Sequence, residues 1–117
     1  MKIIISGTVD IDPEQMEAAM TAAKPLIEGA LTQEGIMDYD WCPDPLTPGR
    51  IRVFERWESQ HALEKHFNNH WYQDMRVALA QCGIRGADVL KYRIDAAEPV
   101  YDETGTARAD FFTASGE

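Results

Sequence analysis

Cysteine is scarce in this chain. Cys42 and Cys82 stand forty residues apart and fit no metal-ligand spacing. They read as reduced thiols of a cytoplasmic protein. Long apolar runs are also missing: none approaches the roughly 20 residues that crossing a bilayer takes, and no basic-then-apolar leader opens the chain. No membrane partner is expected. Basic residues are few, 11 against 20 acids, for a net charge of −9. That shortage excludes nucleic acid as the main partner, because phosphate binding needs a concentrated basic surface. There is no Gly-rich phosphate loop, no G-x-S-x-G elbow and no cysteine placed with a histidine partner. What remains, 117 residues of which 44% are hydrophobic and 26% charged, suits one globular domain.

The acid excess is uneven. Residues 1–94 carry fourteen acids and ten bases, whereas residues 95–117 carry six acids and one base. The first stretch, Lys2 to Val9, is β-branched with Ile3, Ile5 and Val9 at a period of two, which predicts a strand. Asp12-Pro13-Glu14-Gln15 is a helix start, with Asp12 as cap and Pro13 at the first helical position. Met16, Met20, Ala23, Ile27 and Ala30 then trace one apolar stripe. Pro25 lies within it and should kink that helix or loosen its preceding turn.

Beyond Gly35, Ile36 to Cys42 alternates, with Met37, Tyr39 and Trp41 on one side and Asp38 and Asp40 on the other. Pro43 to Gly49 is a loop. Arg50 to Glu58 alternates again, setting Ile51, Val53, Glu55 and Trp57 against Arg52, Phe54, Arg56 and Glu58. Ser59 caps a second helical region, Gln60 to Gln81, whose apolar set is Leu63, Phe67, Trp71, Met75, Ala78, Leu79 and Cys82; Asn68-Asn69 can split it. Ala87 to Ile94 is a last strand. The order β-α-β-β-α-β predicts an α+β ferredoxin-like sandwich over residues 1–95, with helices on one face of an antiparallel sheet. Large apolar groups are expected on the other face too, from the aromatics of the second strand and from Phe54. Two sheets packed face to face would bury them, so a homodimer is expected. Residues 96–117 read as a frayed acidic tail with apolar islands at Val100-Tyr101 and Phe111-Phe112.

Three stretches carry a resemblance: Glu34-Gly35-x-x-x-Tyr39, Asp44-Pro45-x-x-Pro48-Gly49-Arg50, and Phe54-Glu55-Arg56-Trp57-Glu58-Ser59-x-x-Ala62-Leu63-x-x-His66. With the order of elements from Lys2 to about Asp95, the chain resembles the antibiotic biosynthesis monooxygenase domain family. That resemblance implies a ferredoxin-like fold paired through its sheets into a dimeric α/β barrel. It also implies relatives of diverse activity, including oxygenases that oxidise phenols or quinols without flavin, haem or metal. Relatives that degrade haem use an Asn on the first strand, with a Trp and a His in the second helical region. The matching positions here are Ser6 or Thr8, His66 and Arg76, so haem degradation is not expected.

The resulting expectation is a cofactor-independent monooxygenase acting on a phenolic or quinol-like small aromatic. Such chemistry needs an aromatic-lined cavity, a base and a donor for developing negative charge. His66 is the first candidate base, with a structural histidine as the alternative. Glu55, the second, alternates with Val53 and Trp57, so it faces inward or stands at a sheet rim. As a buried carboxylate it would need a partner, with Arg or His near in sequence, and a structural ion pair or hydrogen-bond anchor is the favoured reading beside a catalytic one. Arg56 and Arg76 are candidate oxyanion donors. Tyr39, Trp57, Phe67, His70, Trp71 and Tyr72 are candidate walls, although plain core is the favoured reading for Phe67 and Trp71. His66, His70 and Asp74 would share one face of an unbroken helix and could hold a metal. The Asn pair interrupts that helix, so no metal site is expected. The rival readings are a non-catalytic small-ligand-binding module and a purely structural dimer.

Overall fold

A computed structural model of the chain describes residues 1–113. Its sheet consists of β1 (Ile3–Asp10), β2 (Ile36–Pro43), β3 (Arg50–Trp57) and β4 (Gly86–Arg93), all antiparallel in the order β2-β3-β1-β4. Helices α1 (Met16–Ala30), α2 (Gln60–Phe67) and α3 (His70–Ala80) cover one face. The ferredoxin-like order is therefore present, with β1, the first strand made, at an inner position.

Local chemistry sets the boundaries. Asp12 accepts a hydrogen bond from the Glu14 N–H at 3.0 Å, opening a 3₁₀ turn over Pro13–Gln15 that runs into α1. Helix α1 continues through Pro25 without a break, with that ring on its exposed side. Gly35 adopts φ +86° after the helix, a conformation side-chain-bearing residues avoid, and so turns the chain into β2. Ser59 caps α2 through the Ala62 N–H at 3.1 Å. Asn69 caps α3 through the Trp71 N–H at 3.1 Å, so the Asn pair does divide the second helical region. Asp44 organises the β2–β3 loop: one oxygen accepts from the Leu46 and Thr47 N–H groups and the other from Arg52 Nε.

The core lies between helices and sheet. Ile3, Ile5 and Val9 of β1 meet Ile51, Val53 and Trp57 of β3, under Leu63, Met75 and Leu79. Helix α1 contributes mostly small buried residues, Ala19, Ala23, Gly29 and Ala30, which let α3 approach closely. Gly29 lies directly against Trp71 of α3. A Cβ there would sit 2.5 Å from the Trp71 ring, so Gly29→Ala is expected to destabilise the protein by about 1–3 kcal/mol. Thermal unfolding followed by circular dichroism checks this; an unchanged midpoint would mean Trp71 has room to move.

Two expectations are corrected. Strand β2 does not send its aromatics to the open face: a bulge at Ile36/Asp38 sets Met37 out of register, and Tyr39 and Trp41 then pair with Glu55 and Val53 on the helix side. The open face carries Ile4, Phe54, Leu90 and Tyr92, placed together by register and flanked by the Arg56–Asp38 and Arg50–Asp10 ion pairs. The tail, as far as residue 113, is also not a frayed strand end. Tyr101 and Ala107 form an antiparallel bridge, Asp102 accepts from the Thr104 and Thr106 N–H groups, and Glu98 accepts from those of Phe112 and Thr113. Residues 114–117 lie outside the described residues.

Candidate active site

The helix-facing side of the sheet is not filled from edge to edge. Helix α1 packs on β2 and α2 on β3, but every residue of β4 is exposed. A cavity of about 860 Å³ occupies the space between α3 and the sheet. Its floor includes Ile5, Val53 and Val89, and its walls include Trp41, Phe67 and Tyr72. Such a volume and apolar lining suit a small organic ligand.

A buried ionisable group stands in the floor. Glu55 projects from β3 toward the helices, only 5% exposed, and Oε1 accepts a hydrogen bond from Trp57 Nε1 at 3.0 Å. The partner is thus an indole two residues along the strand, in place of the Arg or His expected from sequence. An N–H in that position eases burial without neutralising the charge. Burial pushes the carboxyl from its ordinary 4.5 up to about 7, although the Trp57 bond works in the opposite direction. Arg76 lines the same cavity from α3, its guanidinium 5.8 Å from the centre of the Tyr72 ring. It stays exposed at the cavity mouth, the surface place that its position beside Met75 implies.

His66 is packed beneath the cavity rather than in its lining. It is 1% exposed, and its ring lies 4.6 Å from that of Trp57, 5.3 Å from Tyr39 and 5.5 Å from Tyr72. Nδ1 meets Gln33 Oε1 at 2.7 Å, which assigns the proton to Nδ1. Nε2 is left buried with no hydrogen-bond partner among the described residues. Burial lowers its pKa from 6.5 to about 4, so the ring is neutral at pH 7. Tyr39, also buried, has its phenol pushed above the ordinary value by burial and then by the Glu55 carboxylate beside it.

The other sequence candidates scatter. Trp57 is wholly buried as core under Glu55, and Tyr39 is also core. Phe67 is 39% exposed on the cavity wall, so it is not plain core. Trp71 fills the notch above Gly29. Arg56 points to the open face, where its Nε meets Asp38 at 2.6 Å. His70 and Asp74 form an exposed pair at 3.2 Å at the start of α3, a separate helix from the one that buries His66. The three residues therefore do not converge, and no group of three metal-ligating side chains occurs among the described residues.

Glu55 and His66 bias stability in opposite directions. Glu55 binds its proton more tightly folded than unfolded, so its contribution falls as pH rises from 4.5 to about 7. His66 binds its proton less tightly folded, so its contribution falls as pH drops from 6.5 to about 4. Each gradient integrates to about 3 kcal/mol, and between pH 4.5 and 6.5 they oppose each other. Asp10 and Asp44, held below their ordinary 3.8 by hydrogen bonds, titrate under this window. Urea unfolding of Glu55→Gln should then show stability climbing by about 3 kcal/mol between pH 4 and 6.5, where the parent changes little. Parallel profiles for the two proteins would contradict the opposed burial of these groups.

The four-stranded antiparallel sheet with helices on one face places the chain among small α+β proteins of ferredoxin-like fold. Comparison with known proteins is more specific. The sequence pattern of antibiotic biosynthesis monooxygenases matches residues 2–78, and the chain belongs to that family. A candidate antibiotic biosynthesis monooxygenase from Deinococcus radiodurans superposes with a TM-score of 0.77 at 17% identity, over 86% of this chain and 99% of that one. A conserved protein from Methanosarcina mazei Go1 does so at 0.73 and 24%, over 80% and 92%. These likenesses show the fold. An uncharacterized protein of Synechocystis sp. is 21% identical over 92 residues, which make up 79% of this chain and 63% of the relative. The matched part thus spans less than two thirds of that relative. Among the described residues no helix is long and apolar enough to cross a membrane.

Proposed function

We propose that the chain is a monooxygenase that oxidises a phenolic or quinol-like aromatic with molecular oxygen, without a bound cofactor, and that Glu55 is its base. The observation that carries this reading is a carboxyl with a pKa of about 7 in the floor of an aromatic-lined cavity. At neutral pH such a group is present in both forms, so it can take a proton and return it. We assign the base to Glu55 rather than His66 because only Glu55 reaches the cavity.

In the proposed reaction Glu55 takes the phenol proton, and the resulting phenolate passes one electron to oxygen. The phenoxyl radical and superoxide then combine, forming a C–O bond at ring carbon. Glu55 returns its proton to give the hydroperoxide. Loss of the ring C–H proton to Glu55, with O–O cleavage, yields a quinone and hydroxide, which Glu55 protonates to water. The balance is one arene C–H and one O₂ to one C=O and one water, with the phenol becoming the second quinone carbonyl. Arg76 supplies the positive charge for the reduced oxygen species. Phe67, Tyr72 and Trp41 hold the flat ring.

The exposed Phe54, Leu90 and Tyr92 with half-buried Ile4, grouped on the open face, support a homodimer paired through that face. Sedimentation equilibrium of the full chain, with Phe54→Lys as the disruptive variant, tests the assembly. For the activity, oxygen uptake is measured with a panel of anthrones, naphthols and quinols, alongside product analysis. Uptake above the uncatalysed rate with quinone formed supports the reading. A ligand that binds in the cavity without oxygen uptake across the panel would instead make the protein a binding module.

A further inference from the structure

The cavity holds a second charged side chain in register with Glu55. In the sheet, Ile5 of β1 pairs with Glu55 on one side and with Lys91 on the other. Residues paired across strands share a face, so Glu55, Ile5 and Lys91 form one row along the cavity floor. Two inter-strand spacings put the Glu55 and Lys91 backbones about 10 Å apart. The apolar Ile5 side chain lies between them.

Lys91 also differs from most cations of the molecule. Arg50, Arg52, Arg56, Lys65, Arg85 and Arg108 each reach a carboxylate. In a chain with 20 acids and 11 bases, that is the ordinary fate of a cation. Lys91, like Arg76, makes no ion pair among the described residues, and it stands at the rim of the cavity. An ammonium next to an apolar cavity attracts a ligand anion, and the low dielectric of the walls strengthens that attraction.

We infer that the cavity selects aromatic ligands carrying an anionic group, such as a carboxylate, at the end of the ring system remote from the hydroxyl that faces Glu55, and that Lys91 is the residue that reads it. The inference rests on the function proposed above for its orientation, with the acidic hydroxyl over Glu55. The row then measures the ligand: a flat fused-ring aromatic lies on Ile5, its hydroxyl at one end and its anion at the other. A single-ring phenol with no charge meets only half of the row.

The test uses 6-hydroxy-2-naphthoate and its methyl ester, which share ring and hydroxyl and differ in charge. Both are titrated into the full chain and followed by tryptophan fluorescence. The acid is expected to bind about tenfold more tightly than the ester at low salt, with the preference narrowing as ionic strength rises. Lys91→Gln should lower acid affinity about three- to tenfold and leave the ester within about twofold, and Lys91→Glu should abolish the preference. Lys91 is exposed on an edge strand, so both variants should keep the parent's circular dichroism spectrum and melting midpoint. Equal binding of acid and ester by the parent, no binding of either, or an undiminished preference in Lys91→Glu overturns the inference. Oxygen uptake measured with the naphthoate, its ester and uncharged anthrone separates the two proposals. Turnover without charge preference overturns this one and leaves the oxygenase; charge preference without turnover supports this one and removes the oxygenase.

Discussion

Glu55→Gln is expected to lower oxygen-dependent turnover by about 10²–10⁴-fold, the usual worth of a positioned general base, while the protein stays folded. The amide keeps an oxygen to accept from Trp57 Nε1, so the change removes proton transfer and little else. The parent should gain activity with pH through an inflection near 7, as the carboxyl ionises. That inflection should vanish in the variant. Its survival with an undiminished rate would take Glu55 out of the chemistry. Trp57→Phe offers a finer check. The indole N–H lowers the carboxyl pKa, so removing it should move the activity inflection above that of the parent.

Trp57→Ala carries the largest expected loss of stability, about 3–5 kcal/mol. The side chain is fully buried, its ring lies 4.6 Å from His66 and 6.4 Å from Tyr39, and its N–H is the hydrogen bond holding Glu55. Truncation would empty the centre of the core and strand a buried carboxyl together. Native domains have only about 5–15 kcal/mol in hand, so a large share of the total would go. The midpoint of urea unfolding measures this, and a loss below about 1 kcal/mol would show that the site collapses freely around the missing ring.

Much of the fold was legible because it depends on neighbours in sequence. Strand alternation, the Asp12 and Ser59 caps, the Asn68-Asn69 break and the Pro43–Gly49 loop are local signals, and the structure places elements where they point. The errors arose where distant residues decide. Tyr39 and Trp41 alternate as read, but which face they take is set by their register against β3, after a bulge at Met37 that no periodicity announces. Glu55 was read as inward, yet its partner could not be seen. The Trp57 indole reaches it only because both side chains leave β3 on the same side.

The site was legible in outline and not in its division of labour. His66, Phe67 and Tyr72 cluster across the break between α2 and α3, with ring centres 4.9–6.0 Å apart. Tertiary packing then drives the histidine inward and leaves Phe67 and Tyr72 facing the cavity. Lys91 drew no attention in sequence. It sits in a short exposed strand, and only the pairing of β4 with β1 aligns it with a carboxyl thirty-six positions earlier.

The inner place of β1 bears on how the molecule is made. Of this domain's strands, β1 is the earliest in the chain, and its partners lie some fifty residues away on one side and some eighty-five on the other. It cannot complete its ladder until nearly the whole domain has been synthesised. Contacts of such long span make folding slow, and through that interval Ile3, Ile5 and Val9 stay uncovered. A nascent chain halted before Gly86 would therefore present a bare, apolar strand edge, a target for chaperones and a seed for aggregation.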